Sequence, residues 1–382
     1  MFELSGDHET FRKVVRDFAE RELAPHIAQW DRDRHLPVET VHAMGDLGLF
    51  GVNVPEQYGG SAGDFTSLCV AIEEIGRVDQ SIGATLEAAV GLGINPILAY
   101  GTEEQKEQWL PDLVAGRALA GFGLTEPEAG SDAGATKTRA TLADGMWIIN
   151  GAKAFITNSG TPITSLVTVT ARTGDDEIST IIVPSGTTGF TVEPAYEKLG
   201  WHISDTHGLS FADCRVPEEN LLGRRGNGFR QFLAILDEGR IAISALAVGL
   251  AQGCLDLSVK YANERHTFGA PLGSRQSVAF ALSDLAVSVE AARLLTYKAA
   301  WLKDAGRPAA QIKQAASMAK LYSSDAAMNA TRTATQVFGG NGFMEEFPVA
   351  RFYRDAKILE IGEGTNEVQR MLIARGLGLP VA

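Results

Sequence analysis

Residues 354–367, RDAKILEIGEGTNE, decide more about the fold than any other stretch of the chain, and they place Glu363 between two glycines. A carboxylate just before a helix can simply complement the positive end of that helix. It can equally project from a loop into a cleft, where burial raises its pKa toward that of a useful general base. The segment alone leaves both interpretations open.

Three other stretches carry polar groups or aromatic rings that could hold a ligand: LTEPEAGSD at 124–132, FITN at 155–158 and NERHTFG at 263–269. The hydroxyls of Thr125 and Ser131 could bind a flat polar ring or a phosphate, or the first stretch is an ordinary connection. Phe155 could form an aromatic wall or belong to a plain core strand. Arg265 could reach a pyrophosphate or only cap a helix. None of the three is decisive by itself.

Hydrophobic periodicity divides the chain into three parts. Helical spacing dominates the first part, with helices predicted over 9–31, 64–78 and 81–99 and one that starts after Thr102. Short β-rich segments follow, and two of them, 146–149 and 154–157, flank a predicted turn at Asn150-Gly151. Helices then return. We therefore predict an α+β protein with an N-terminal helical domain (1–120), a middle antiparallel β-barrel or sandwich (121–228) and a C-terminal helical domain (229–382).

The composition narrows the possible functions. There are 34 Lys and Arg against 47 Asp and Glu, and the net charge of -13 disfavours general binding to nucleic acid or to an anionic membrane. Three cysteines without a CxxC pair predict a reducing compartment and no disulfide scaffold. The acidic N-terminus is unlike a signal peptide, and the uncharged stretch 241–255 is shorter than the about 20 residues that span a bilayer. We expect a cytoplasmic bacterial protein, or a mitochondrial matrix protein if the chain is a processed eukaryotic one, without membrane insertion.

Several common motifs are absent from the sequence. No GxGxxG follows a predicted strand, and the chain has no P-loop, HExxH or GxSxG motif. His202 and His207 lack the companion ligands that a metal site needs, so no metal is predicted. A dinucleotide that binds this chain would therefore be held without the usual glycine fingerprint.

Taken together, these stretches resemble the acyl-CoA dehydrogenase family over nearly the whole chain. Residues 124–132 resemble its first signature, and QVFGGNG at 336–342 together with 354–367 resembles its C-terminal one. The resemblance implies a C-terminal four-helix bundle, tightly bound FAD, and conversion of an acyl-CoA thioester to the trans-2-enoyl-CoA. It also implies that Glu363 takes the α-proton, that flavin N5 accepts the hydride, and that electrons pass to an electron-transfer flavoprotein.

The resemblance assigns binding roles residue by residue. Positions that match flavin contacts are Leu124, Thr125, Gly130, Ser131, Phe155, Ile156 and Thr157, with Thr157 near flavin N5. Positions that match contacts to the pyrophosphate and adenine across a subunit boundary are Arg265, Thr267, Phe268, Gln276, Gln336, Val337, Gly339 and Gly340, and the last contact segment is Thr365, Asn366 and Glu367. Acyl-CoA contacts match Ser131, Asp237, Arg240 and Gly364. A site shared between subunits implies a homo-oligomer, typically a tetramer, with a dimer as the alternative.

The resemblance also bears on the choice of base and on the substrate. Some members carry the base immediately before the arginine of the long helix, but here that position is Gly239, and Glu238 is about 100° round the helix. Glu363 is therefore favoured. Phe155 replaces a common tryptophan and so lacks the indole donor. Gly362 replaces a bulky residue of many straight-chain enzymes, which predicts room for branched or cyclic acyl groups.

Other functions on the same scaffold are weighed against this one. An acyl-CoA oxidase that uses oxygen, or a dehydrogenase of a thioester on an acyl carrier protein, keeps the same site and stays open. A flavin hydroxylase or nitroalkane oxidase is disfavoured by Glu363 in its Glu-Gly-Thr context. A catalytically silent relative that protects nucleic acid is disfavoured by the net charge of -13 and by the lack of a basic C-terminal extension.

Overall fold

The computed structural model describes residues 4–381, so the first three residues of the acidic N-terminus lie outside the described residues. The Thr102 side chain accepts a hydrogen bond from the Gln105 N–H, and the Gln105 side chain accepts one from the Thr102 N–H. This capping box confirms the predicted helix start. The helices of the first part are α1 (Gly6–Phe18), α2 (Ile27–Asp33), α3 (Val38–Asp46), α4 (Phe65–Val78), α5 (Gln80–Glu87), α6 (Asn95–Tyr100) and α7 (Glu103–Val114).

Two π-helical turns interrupt segments that the periodicity predicted as continuous helices. Ala19–Leu23 separates α1 from α2, so the single helix predicted over 9–31 is wrong. Ala88–Ile94 separates α5 from α6 within the helix predicted over 81–99. A π turn admits an extra residue and rotates the side chains that follow it, and such turns are frequent at functional sites. The second turn begins directly after Glu87, the last residue of α5.

The middle part of the chain forms one large sheet. Its strands are β1 (Leu119–Gly123), β2 (Arg139–Ala143), β3 (Met146–Thr157), β4 (Thr164–Arg172), β5 (Ile178–Pro184), β6 (Phe190–Ala195), β7 (Thr206–Pro217) and β8 (Leu221–Leu222). They pair in the order β6-β7-β3-β2-β4-β5-β8, with β1 on β4. Most pairs are antiparallel, as predicted, but β1 and β2 both run parallel to β4. β1 follows a helix rather than a hairpin turn, so no local signal sets its direction.

The Asn150-Gly151 dipeptide lies inside β3, and the turn predicted there is wrong. β3 pairs with β7 on both sides of it, and the register shifts once at Gly151 and again just before Ile156. Both irregularities are β-bulges, in which one strand carries an extra residue. Gly151 has a φ of 146°, and a Cβ at this position would lie 2.5 Å from Thr138 Oγ1. The second bulge contains Phe155, whose φ of 62° turns it away from regular strand geometry.

Long helices make up the last part of the chain: α8 (Gly228–Glu264), α9 (Gln276–Asp304), α10 (Ala309–Phe338), α11 (Pro348–Ala356) and α12 (Asn366–Gly376), with a short ribbon of β9 (His266–Thr267) and β10 (Ala270–Pro271). α8 packs closely on α4 and α5. A Cβ on Gly76 or Gly83 would lie within 2.6 Å of Leu246 Cδ1, so these glycines make the close approach possible. The contact brings α8 beside α5, and one apolar core runs through both helical parts.

Two helical stretches, Gln80–Tyr100 and Gly228–Glu264, are long and apolar enough to cross a membrane by length and composition alone. Of their most apolar windows, 83% and 78% are buried inside the protein. Both stretches belong to the core described above, which accounts for their apolar composition without a membrane.

Candidate active site

Glu363 lies in a short loop between Leu359 and α12, which we call the base loop (residues 361–365). Its φ of 54° is in the left-handed region, which is unusual for a residue with a side chain. Two side chains fix the turn by donating to the Glu363 carbonyl oxygen: Arg240 Nε at 3.4 Å and Gln369 Nε2 at 3.2 Å. Gln369 also donates to the Gly364 carbonyl at 2.9 Å. These hydrogen bonds hold Glu363 in a strained backbone conformation, and such conformations are common at functional sites.

The carboxylate of Glu363 points at α8. A Cβ added at Gly239 would stand 2.6 Å from Glu363 Oε2, so only glycine leaves the carboxylate its place. Glu363 Oε2 is enclosed and has no hydrogen-bond partner among residues 4–381. Burial raises the pKa of Glu363 to about 7, and the positive charges of Arg240 and Lys320 oppose that rise. An unpartnered carboxylate with such a pKa is suited to accept a proton near neutral pH.

The competing carboxylate, that of Glu238, already has partners outside the base loop. Its Oε1 forms an ion pair with Lys303, and its Oε2 accepts a hydrogen bond from Asn95 Nδ2 at 3.4 Å. Tyr100 is also close enough to feel its charge. This geometry favours Glu363 over Glu238 as a base.

A second buried acid, Glu87, was not singled out from the sequence. Its side chain is almost fully buried, and its Oε1 has no partner among the described residues. Burial, and then the neighbouring charge of Glu363, raise the pKa of Glu87 well above its usual value. One signal was available: Glu87 is the single charged residue between Gln80 and Tyr100. A lone acidic residue in an apolar helix is rarely buried without a reason.

Two of the residues matched to acyl-CoA lie next to the base loop. Asp237 and Arg240 form an ion pair one turn apart on α8. Leu236, on the same turn, joins an apolar cluster with Phe232 and with Ala133 from the loop that carries Ser131. The structure therefore brings the 124–135 loop against the first turns of α8, which precede Gly239.

The first group of flavin-matched residues is also brought together. The Ala154 N–H donates to the Thr125 carbonyl at 2.9 Å, and Lys153 Nζ donates to the Leu124 carbonyl at 3.3 Å, so the 124–125 segment lies on β3. Lys153 is itself fully buried and forms an ion pair with Glu126 at 2.7 Å. This pair was missed because nothing in the local sequence links two residues so far apart.

The surface beside this segment suits a planar ring. The side chain of Phe155 is 65% exposed, and its ring packs 5.1 Å from that of Tyr196. Thr157 follows two residues later and is half-buried, and Ile156 is buried between them. At Gly130 a Cβ would meet no atom within 4 Å, so the loop leaves an open edge. An exposed aromatic ring beside an open loop could stack on a planar ligand.

The second group of flavin-matched residues lies at the far end of α8. Arg265 is 25 residues beyond Arg240, which corresponds to roughly 37 Å at about 1.5 Å per residue. In this group Phe268 is 97% exposed, and Gln276, Gln336, Gly339 and Gly340 are exposed as well. Within one chain this second group is thus largely exposed and lies far along α8 from Arg240.

The side chains of residues 365–367, the last flavin-matched segment, differ in their surroundings. Thr365 caps α12 by accepting from the Val368 N–H at 3.3 Å, and Glu367 is exposed. The side chain of Asn366 is instead buried against α10, where Lys320 donates to its Oδ1 at 3.1 Å. Lys320 was another residue that the sequence did not reveal. In residues 4–381 no three His, Cys, Asp or Glu side chains form a group that could hold a metal ion.

Three domain profiles of one family match the chain in sequence order. The acyl-CoA dehydrogenase N-terminal domain matches residues 5–117, the middle domain matches 121–214 and the C-terminal domain matches 226–378. The chain belongs to the acyl-CoA dehydrogenase family. The predicted family and its helical, β, helical fold are thereby confirmed, as is the prediction of an enzyme of the acyl-CoA dehydrogenase class.

Similar proteins cover the acyl-CoA dehydrogenase chain from end to end. A probable acyl-CoA dehydrogenase of Bacillus subtilis is 47% identical over 98% of this chain and 99% of its own length. The mitochondrial short-chain specific acyl-CoA dehydrogenase of Rattus norvegicus is 44% identical over 97% of this chain and 90% of its own. The solved structure of butyryl-CoA dehydrogenase from Megasphaera elsdenii superposes with a TM-score of 0.95 at 42% identity, and covers 99% of both chains.

Proposed function

We propose that this acyl-CoA dehydrogenase uses Glu363 to remove the α-proton of an acyl-CoA thioester and releases the trans-2-enoyl-CoA. The observation that supports this most directly is the enclosed, unpartnered Glu363 Oε2 facing Gly239. A proton acceptor needs a free lone pair, and burial makes this carboxylate more basic than one in water.

The α-proton of a thioester is only weakly acidic, so negative charge that develops on the thioester oxygen has to be stabilised. The Glu363 N–H has no hydrogen-bond acceptor among the described residues, and it is the protein's donor for that oxygen. Arg240 and Gln369 hold the Glu363 carbonyl, which belongs to the next peptide unit, and so stabilise the turn that carries this N–H. The same residue thus takes the proton and steadies the charge left behind.

FAD is the proposed cofactor, and when bound it accepts the hydride from the substrate β-carbon. Phe155 and Thr157 would hold its ring system together with Leu124 and Thr125, since Phe155 is exposed and the 124–125 segment is hydrogen-bonded to β3 beside it. The second group, around Arg265, is largely exposed and lies at the far end of α8 from Arg240, so we propose that a second copy supplies it. The protein would then be a homo-oligomer, a tetramer or at least a dimer, with residues of two chains in each FAD site.

The acyl group is proposed to be short. The relatives from rat and Megasphaera elsdenii are named for short-chain and butyryl substrates. A Cβ at Gly362 would meet no atom nearer than 3.5 Å, the Ile358 carbonyl, so a glycine here leaves space next to Glu363. We propose that this space admits a methyl branch or a small ring. Comparison of butyryl-CoA with short branched thioesters tests this, and a strict preference for butyryl-CoA would contradict it.

Four further assignments complete the proposal. CoA rather than an acyl carrier protein carries the thioester, and an electron-transfer flavoprotein takes the electrons. The enzyme is cytoplasmic, and the domain boundaries lie near residues 120 and 228.

An acyl-CoA oxidase is the alternative function, because the same base serves both reactions. Rapid reoxidation of the reduced enzyme by air without a carrier protein would identify that alternative.

The decisive experiment is anaerobic bleaching of the yellow holoenzyme by a panel of acyl-CoAs. We expect fast loss of the oxidised flavin spectrum with short acyl-CoAs and none with Glu363→Gln, which should still retain FAD. Because a general base contributes about 10²–10⁴-fold, near-normal reduction in that variant would refute the role of Glu363.

A further inference from the structure

Lys320 is a buried cation directly behind the base loop. It lies on α10 with 1% of its surface exposed, and its Nζ donates to Asn366 Oδ1 at 3.1 Å. Ser324 Oγ donates to the same oxygen at 3.0 Å, and Asn366 Nδ2 donates to Asp325 Oδ1 at 2.8 Å. A charged ammonium in the interior is costly when a neutral amide is its only direct partner. We therefore expect the charged Lys320 side chain to have a second partner that carries a negative charge.

Asn366 connects this cation to the base. It is the first residue of α12 and stands three positions after Glu363, directly after the helix cap at Thr365. The Glu363 carbonyl accepts a hydrogen bond from Arg240 of α8. The base loop is therefore held between two cations on two helices, one through its carbonyl and one through its first helical residue.

The charges around Lys320 and Glu363 come from several elements. Burial lowers the pKa of Lys320 to about 8, while Glu363, Glu360 and Asp325 favour its charged form and Arg240 opposes it. On the other side of Glu363 lies Glu87 of α5. Of the two cations that face Glu363, Arg240 is already committed to Asp237 in an ion pair, whereas Lys320 has no carboxylate of its own within salt-bridge distance in the described chain.

We propose that Lys320 is a positioning residue for Glu363: it holds the base loop through Asn366 and places a positive charge behind the catalytic carboxylate. This proposal rests on the proposed role of Glu363. Lys320 touches neither substrate nor cofactor in this assignment, and acts only through the loop and through its charge.

The test is the pH profile of anaerobic flavin reduction by butyryl-CoA, measured by stopped flow on FAD-loaded enzyme. Lys320→Met removes the charge at nearly constant length. A nearby cation favours the ionised carboxylate, so its loss should raise the pKa of the base. We expect the acid limb to move up by about one pH unit and the rate at pH 7 to fall about fivefold, with KM unchanged and Lys320→Arg restoring both.

Two controls separate this idea from its alternatives. Ser324→Ala removes a neutral hydrogen bond to the same Asn366 oxygen, so the acid limb should stay in place. Glu363→Gln tests the base itself: if that variant still reduces flavin, the proposed function fails and not only the role of Lys320. If Glu363→Gln is inactive and Lys320→Met keeps the wild-type limb, the role of Lys320 alone is overturned.

A uniform loss of rate in Lys320→Met with an unmoved limb also overturns the proposal, because a merely structural role gives that result. Should Lys320→Met fold without FAD, Lys320→Gln takes its place, since an amide can still donate to Asn366. The same upward movement of the limb is expected there, and an unmoved limb in Lys320→Gln counts against the proposal in the same way.

Discussion

Gly239 and Glu363 are complementary: the missing side chain of one is the space that the carboxylate of the other occupies, with 2.6 Å between an added Cβ and Glu363 Oε2. The sequence identified Gly239 only as an empty position where some relatives carry their base. The structure gives it a positive role, because any side chain at 239 would displace Glu363.

Gly239→Ala should therefore slow flavin reduction although it adds only one methyl group. The added carbon forces the carboxylate to move, and a misplacement of about 1 Å can cost about 100-fold in rate. FAD binding, followed by the visible spectrum, should persist. Gly6→Ala is the control, since a Cβ there meets nothing within 4 Å. A Gly239→Ala enzyme with a normal reduction rate would mean that Glu363 does not work from this position.

The pH dependence of kcat/KM should show an acid limb near pH 7, because burial raises the pKa of Glu363 to about 7. The sign follows from the chemistry: below that pH the base is protonated and cannot accept the α-proton, so the rate falls as pH decreases. kcat/KM reports the ionisation of the free enzyme and is the quantity to measure. An acid limb near 4.5, where an ordinary glutamate titrates, would show that the carboxylate is solvated during turnover.

Glu87 should behave as a neutral acid throughout this range. Burial and the charge of Glu363 both raise the pKa of Glu87 well above its usual value, which favours its protonated form. Glu87→Gln has the same shape and no charge at any pH, and we expect it to leave the acid limb of kcat/KM where it was. A limb that moves to lower pH in this variant would instead reveal that Glu87 is ionised and repels the base.

Much of the fold followed from local signals. The start of α7 was predictable because Thr102 and Gln105 form a cap within one turn of chain. The Asn150-Gly151 dipeptide misled because its preference for a turn is local, whereas its place inside β3 is set by pairing with the distant β7. The hydrophobic periodicity could not predict the π turns after α1 and α5 for a similar reason. Tertiary packing decides where a helix accommodates an extra residue.

The site divides in the same way. Glu363 was recognisable from its flanking glycines and the motifs around it, because the left-handed loop leaves a trace in the sequence. Lys320 and Lys153 leave none: each is a lysine within an ordinary helix or strand, and its burial depends on partners 46 and 27 residues away. Interactions of that range are fixed by the fold and are visible only when the elements are packed together.

The buried pair of Lys153 and Glu126 should stabilise the protein far more than a surface pair of the same residue types. Lys153 Nζ also donates to Thr170 Oγ1 at 2.9 Å, and Glu126 accepts from two backbone N–H groups, those of Lys137 and Thr138. Lys153→Met leaves Glu126 buried with those two donors only. Removing one partner of a buried pair costs about 3–5 kcal/mol, and we expect the lower end because the backbone donors remain.

The chain offers a matched control in Lys137, whose ion pair with Glu128 is solvent-exposed on both sides. Lys137→Met should cost far less stability than Lys153→Met, because solvent screens an exposed pair. Urea unfolding followed by tryptophan fluorescence compares the two, since Trp147 is buried in the same sheet. Because Lys153 also holds the Leu124 carbonyl, Lys153→Met should release FAD faster, while Lys137→Met should not. Equal destabilisation by the two variants would show that the interior pair is no stronger than the exposed one.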